Sequence, residues 1–212
     1  TAEESATLVI DSADVQSVKE IVIEPRTNYT IGRFEVPMIN DISRVGLMFT
    51  DVSRKNNPGA TVAGMDWNLG FLDNRLFSNG QIVRSDNNNI TGNAIRFNLG
   101  YMDPFWWSAR FWYGHYDDEF NVNDLGYLRR NDTNWMGGRV EFRKQEPWGR
   151  FIYNDLEFKY MQEWRGDGLA LERELEIEQN NLFTNYWRAG FFSKVFLPAY
   201  NDEDIFRNEQ AW

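Results

Sequence analysis

Between Thr61 and Phe71 the odd positions read Ala63, Met65, Trp67, Leu69 and Phe71, and the even ones Gly64, Asp66, Asn68 and Gly70. Alternation of this kind has the period of a β-strand, whose successive side chains point to opposite faces. Ile95, Phe97, Leu99 and Tyr101 alternate in the same way with Ala94, Arg96, Asn98 and Gly100. Val45, Leu47 and Phe49 follow the rule, as do Ile152, Leu156, Phe158 and Tyr160 against Asp155, Glu157 and Lys159. Phe183, Trp187, Ala189 and Phe191 stand opposite Thr184, Tyr186 and Arg188. Wound as a helix, each set would scatter around the cylinder and lose both faces. The pattern predicts an all-β, antiparallel chain of about ten strands, weakest over 5–12, 19–25 and 75–85.

Turn formers punctuate these runs: Asn56-Asn57-Pro58-Gly59, Asp86-Asn87-Asn88-Asn89, Asp103-Pro104, Gln145 to Gly149, and Arg165-Gly166-Asp167-Gly168. Asp103-Pro104 is a tight break, whereas Tyr116 to Asp124 is a longer acidic excursion. Short turns at one end and longer loops at the other are what an outer-membrane barrel shows. No fixed-period repeat or low-complexity linker divides the chain, so 1–212 is expected to be a single section with no separate soluble domain.

A soluble sandwich also alternates, burying one face and wetting the other. Three features favour lipid. The runs reach about ten residues, suited to a tilted membrane crossing. The polar faces carry glycines and full charges. Aromatics gather near strand ends, as Phe105, Trp106 and Trp107, then Trp112, Tyr113 and Tyr116, which fits aromatic girdles at the two membrane interfaces. On this reading Met65, Trp67, Leu69, Phe71, Ile95, Phe97, Leu99 and Tyr101 face lipid, and the even positions face a lumen.

Composition narrows the chemistry. Lysine and arginine number 22 against 32 aspartates and glutamates, a formal charge of −10. That argues against nucleic acid as a partner, since phosphate backbones require clustered cations. The absence of cysteine excludes disulfides, thiolate metal sites and thiol nucleophiles. A single histidine, His115, argues against a multi-histidine metal site or a serine–histidine relay. His115 continues the apolar register of Phe111 and Tyr113, which predicts an interfacial or hydrogen-bonded ring. Aromatic residues make up 16% of a chain whose mean hydropathy is −0.59. No apolar run is long enough for a transmembrane helix. The N-terminus lacks a basic region followed by an apolar stretch, so any signal peptide is expected to lie outside this chain or to have been removed.

Four stretches carry a resemblance: Asn28-Tyr29-Thr30-Ile31-Gly32-Arg33, Val45-Gly46-Leu47-Met48-Phe49-Thr50, Val62-Ala63-Gly64-Met65-Asp66-Trp67, and Phe120-Asn121 followed by Leu125-Gly126-Tyr127-Leu128-Arg129-Arg130. In order and spacing they resemble a family of large outer-membrane β-barrel proteins of uncharacterised function. Full-length members place a sandwich similar to carbohydrate-binding module family nine before a C-terminal barrel. The resemblance runs from about Asn28 to about Phe192. It implies that the chain is an incomplete, about ten-strand section of a larger transmembrane barrel, with the N-terminal sandwich absent. It also implies an envelope setting, a glycan as candidate ligand, and remaining strands of the same or another chain to close the barrel. Within the last motif Arg129-Arg130 and Asn131-Asp132 are expected to pair in the lumen. Trp212 is a terminal aromatic of the kind barrel-assembly signals carry, but 206–211 lacks alternation, so the end reads as a truncation.

Glu172, Glu174, Glu176 and Glu178 alternate with Arg173, Leu175 and Ile177. Strand spacing puts all four carboxylates on one face, about 7 Å apart. In lipid that face looks inward. The stripe is either a charge filter for solutes or a solvated wall paired with Arg139 and Arg143. Arg96, Arg129, Arg139 and Arg143 are the expected lumen-facing cations. Asp117-Asp118-Glu119 and Asn201-Asp202-Glu203-Asp204 supply calcium-type oxygens without the spacing of a calcium loop. A glycosidase acid pair gains nothing from so many carboxylates. The tryptophans, Trp106, Trp107, Trp112, Trp135, Trp148, Trp164 and Trp187 among them, suit either sugar stacking or interfacial anchoring.

The reading is a non-enzymatic outer-membrane barrel serving as pore, wall or assembly platform, with no cofactor and no metal. Its partners are the lipid bilayer, the closing strands and a candidate glycan, but no nucleic acid. Two alternatives stay open: a soluble secreted β-sandwich that binds carbohydrate, and a structural subunit of a multi-protein envelope complex.

Overall fold

The computed structural model describes residues 2–12 and 15–200. Twelve strands are present among them: β1 (Glu4–Ser12), β2 (Val15–Glu24), β3 (Thr27–Pro37), β4 (Arg44–Arg54), β5 (Asn57–Phe71), β6 (Leu76–Asn87), β7 (Ile90–Met102), β8 (Trp107–Tyr116), β9 (Thr133–Lys144), β10 (Phe151–Arg165), β11 (Ala170–Phe183) and β12 (Arg188–Phe196). No described residue is helical. β1 and β2 form a two-stranded hairpin, and β3 to β12 form one ten-stranded antiparallel sheet in which each strand pairs with its neighbours in sequence. The sheet is open. β3 and β12 are its edges, so among the described residues it does not close into a barrel.

The expected strand through 183–191 is instead a hairpin. β11 ends at Phe183, β12 begins at Arg188, and Tyr186 takes a φ of 65° in the turn between them. Asn185 Oδ1 accepts the Trp187 amide at 3.2 Å, a side-chain turn that competes with strand continuation. The alternation there is real, but it is interrupted where Asn185 bends the chain.

The connections divide by end. β4–β5, β6–β7, β8–β9 and β10–β11 are joined at one end by 55–56, 88–89, 117–132 and 166–169. At the other end lie 38–43, 72–75, 103–106, 145–150 and 184–187. The expected contrast between short and long ends therefore reduces to one loop, 117–132, because the other turns at its end are two to four residues long. Asn88 and Asn89 have φ of 56° and 63°, the two left-handed positions of a hairpin turn whose twist matches its strands.

Register carries the two faces unbroken across the strands. On the apolar face Phe34 stands opposite Leu47, Leu47 opposite Met65, Met65 opposite Ile82 and Ile82 opposite Ile95. Farther along, Ala109, Val140, Phe158 and Ile177 occupy one level of four adjacent strands. Burial, however, falls on the other side. Phe34 is 63% exposed, Leu47 54%, Leu99 46% and Phe158 44%, whereas Val52, Ala60, Ser85, Ala94, Asp155 and Glu174 are buried on the polar face. A sheet curled about its polar side has this distribution. Among the described residues no second layer covers the apolar face: substantial contacts between strands are all between hydrogen-bonded neighbours. Leu99 is exposed, and Trp67 and Phe97 are only half-buried.

Candidate functional site

The polar face is where chemistry collects. On β8 it presents Ser108, Arg110, Trp112, Gly114 and Tyr116; on β9 it presents Thr133, Trp135, Gly137, Arg139, Glu141 and Arg143. Two cross-strand pairs match an indole to a glycine, Gly114 with Trp135 and Trp112 with Gly137. At either glycine a Cβ would collide with the facing ring, so both indoles lie close against bare backbone. Beside them the next pair is Arg110 with Arg139, both cationic.

The four glutamates of β11 share this face, as their spacing requires. Their cationic partners differ from the expected ones. Lys159 Nζ donates to Glu176 at 2.9 Å and to Glu174 at 3.4 Å. Lys194, from β12, pairs with Glu174 and lies 3.0 Å from Glu176. Arg139 instead meets Glu157 at 3.4 Å, and Arg143 approaches Glu141 at 3.8 Å. Register decides this, since Lys159 and Lys194 stand directly opposite Glu176 on either side. Glu178 faces Glu157, a like-charge pair. Arg96, also on this face, donates to Gln81 Oε1 at 3.5 Å.

The loop 117–132 folds over the polar side at its end of the sheet. Phe120 is buried and stacks on Tyr116 with centroids 5.4 Å apart; Tyr116 in turn meets Trp135 edge-on at 4.8 Å. The Asn121 amide donates to Ser85 Oγ at 3.0 Å. Asp124 forms an ion pair with Arg54 and accepts from Asn87 Nδ2 at 3.1 Å. Asp132 Oδ1 accepts the Gly166 amide at 3.0 Å, tying the loop to the β10–β11 turn. Arg129 lies within electrostatic reach of Glu172. One signal for this fold-over was available in the sequence: a lone phenylalanine in an acidic loop needs somewhere apolar to go.

The aromatics expected in girdles at the two interfaces divide between ends and faces of the sheet. Phe105, Trp106 and Trp107 lie at the 103–106 end, where Trp106 stacks on Phe142 at 6.0 Å and Trp107 meets Tyr101 at 5.0 Å. Phe71, Trp148, Phe151, Phe183 and Trp187 lie at the same end, extending the band. Tyr113 sits mid-face against Phe97 at 5.9 Å on the apolar side. Trp112 and Tyr116 belong to the polar face, because they share parity with Arg110 and Gly114.

His115 Nδ1 lies 2.8 Å from Asn134 Oδ1. In the acidic loop, Asp117 Oδ2 accepts the Asn93 amide at 2.6 Å, and among the described residues no group of three acidic or histidine side chains is arranged to hold a metal. Asn201 to Asp204 and the C-terminal residues through Trp212 lie outside the described residues.

In the β10–β11 turn, Arg165 donates to the Asp167 carboxylate and the Leu169 amide adds a bond at 3.1 Å. Together they hold the Asp167 carboxyl below its usual range, the arginine contributing most.

No curated protein and no solved structure matches this chain. A family model described as a domain of unknown function, DUF5916, matches residues 1–211. Matched along nearly its whole length, this chain of antiparallel strands belongs to the DUF5916 family.

Proposed function

We propose that the chain is a section of an outer-membrane β-barrel of a Gram-negative envelope. In this reading it is non-enzymatic, its apolar face meets lipid, and its polar face lines a lumen. One observation carries the reading: exposure and burial are inverted relative to a soluble sheet. A water-facing protein that left Phe34, Leu47, Leu99 and Phe158 uncovered in one continuous band would expose far more apolar surface than soluble monomers tolerate. Hydrocarbon covers such a band without cost. Strands of 9 to 15 residues suit a tilted crossing, which needs about 9–11. The aromatic cluster at the 103–106 end suits a headgroup interface.

Open edges at β3 and β12 cannot face hydrocarbon, where unpaired backbone groups find no water. Further strands, from the same polypeptide or from a partner in the envelope, complete the wall. The family resemblance supports the first source, with a longer barrel preceded by a sugar-binding-like sandwich.

Paired arginine substitutions test the orientation. Leu99→Arg is expected to cost about 2–4 kcal/mol of folding free energy in phospholipid vesicles, the scale for a cation on a lipid-facing strand position. Gln81→Arg, on the polar face opposite Asp66, is expected to change it little. Equal costs at the two positions, or monodisperse behaviour of the wild-type chain in detergent-free buffer, would overturn the proposal.

A further inference from the structure

Arg110, Arg139 and Lys159 occupy one level of three adjacent strands, Arg110 directly opposite Arg139 and Arg139 directly opposite Lys159. Like charges in direct cross-strand register repel. Neighbouring acids answer two of the three: Glu157 pairs with Arg139, and Glu174 and Glu176 with Lys159. Among the described residues Arg110 meets no carboxylate. Its Nη2 reaches Asn98 Oδ1 at 3.3 Å, its guanidinium carbon lies 5.9 Å from the Phe77 ring centroid, and its Nε is buried without a hydrogen bond. A guanidinium offers five donors in a planar fork suited to a carboxylate, and this one has most of them unused.

One step along the strand stands Trp112, backed by Gly137. Asn98, Arg110, Trp112, Arg139, Glu157, Lys159 and Glu176 border one concavity of about 430 Å³ on the polar face. It combines three cationic side chains against two carboxylates, an aromatic surface and the Asn98 amide. A small inorganic anion would leave the indole unused. A neutral hexose would leave Arg110 unanswered, and an aromatic acid would set its apolar rim against the Glu157 carboxylate.

We propose that this concavity binds a hexuronate, a six-membered sugar ring bearing a carboxylate. The carboxylate bridges Arg110 and Arg139, the C–H face of the ring lies on Trp112, and ring hydroxyls donate to Asn98 Oδ1 and Glu157. Access from a lumen rests on the barrel reading above, but occupancy of the concavity requires only the folded sheet.

The test is titration of the chain, folded in detergent micelles, with sodium glucuronate, followed by tryptophan fluorescence and calorimetry. Glucose and sodium acetate at matched ionic strength are the comparison ligands. Saturable glucuronate binding is expected, at least tenfold tighter than either comparison ligand. Arg110→Gln is expected to weaken it tenfold or more, and Trp112→Leu to weaken it severalfold and remove most of the fluorescence change. Arg96→Gln, on the same face outside the concavity, should leave binding intact, and far-UV circular dichroism confirms that each variant keeps its strands. Absence of saturation by glucuronate in a chain with intact strands overturns the proposal. So does equal affinity for glucose or acetate, or indifference to Arg110→Gln. Failure to insert into vesicles would count against the barrel reading alone, because the micelle titration does not depend on it.

Discussion

The indole of Trp135 rests on Gly114, its direct cross-strand partner, at a point where any side chain would occupy the ring's own volume. On the neighbouring pair the relationship is reversed, with Trp112 against Gly137. Each ring thereby fills the space its partner leaves empty, and Trp135 is held edge-on to Tyr116 beneath the folded loop. Gly114→Ala is expected to destabilise the chain by about 1–3 kcal/mol, the range for overpacking a filled site. Gly32, with open space where a Cβ would stand, is the control, and Gly32→Ala should be close to neutral. Urea unfolding in micelles compares the two; similar midpoints would show that the indole moves aside freely.

Asp124 fastens the loop 117–132 to two strands at once, through Arg54 and Asn87. Charge-assisted hydrogen bonds of this kind contribute about 1.5–3 kcal/mol. Asp124→Ala is therefore expected to release the loop while leaving the sheet intact. Hydrogen exchange reads this directly: the Asn121 amide, bonded to Ser85 Oγ, should lose protection, whereas amides within β6 and β7 should keep theirs. Unchanged protection at Asn121 would mean that Phe120 stacking suffices to hold the loop.

Glu174 has only 3% of its side chain exposed and depends on Lys159 and Lys194 for compensation. Removing both cations leaves a buried carboxylate unpaired, at a cost of about 3–5 kcal/mol. The double change Lys159→Met with Lys194→Met should lower the unfolding midpoint strongly. Adding Glu174→Gln to that background should recover a substantial part of the loss. If it recovers nothing, the lysines act by packing their alkyl stems rather than through charge.

Asp167 gives the turn between β10 and β11 a pH dependence of known sign. Its carboxyl is held below the ordinary range by Arg165 first and the Leu169 amide second. A folded-state value depressed in this way means that the contribution is complete above the unfolded aspartate value of about 3.9 and is lost as pH falls through the lower folded one. The turn should thus be insensitive between neutrality and about pH 5 and loosen only in stronger acid. A carboxyl-carbon titration by nuclear magnetic resonance should place Asp167 below the model-peptide value, with Arg165→Gln restoring it. A titration at the ordinary value would refute the pairing.

Much of the architecture was legible in residue parity. Whether Leu99 and Asn98 lie on opposite faces is fixed by the pleat of one strand, whatever that strand pairs with, so the two faces of 63–71 and 95–101 needed no partner to be assigned. Parity also held a warning that the aromatic cluster concealed: Trp112 and Tyr116 are even-numbered in a strand whose apolar members, Phe111 and Tyr113, are odd. Grouping them by proximity in sequence merged residues that project in opposite directions.

Pairing between strands was not legible. The stripe Glu172 to Glu178 is local, but its cations come from β10 and β12, and only the registers Lys159 with Glu176 and Glu176 with Lys194 bring them there. A shift of two residues would have kept every face assignment and exchanged every ion pair. The inward fold of 117–132 is equally non-local, since Asp124 reaches Arg54 and Asn87 across 70 and 37 residues of chain. Periodicity is a property of consecutive residues, so the sequence alone determined strands, faces and most turns. Register, ion pairing and the position of the loop depend on segments that meet only after folding, and those the tertiary structure decided.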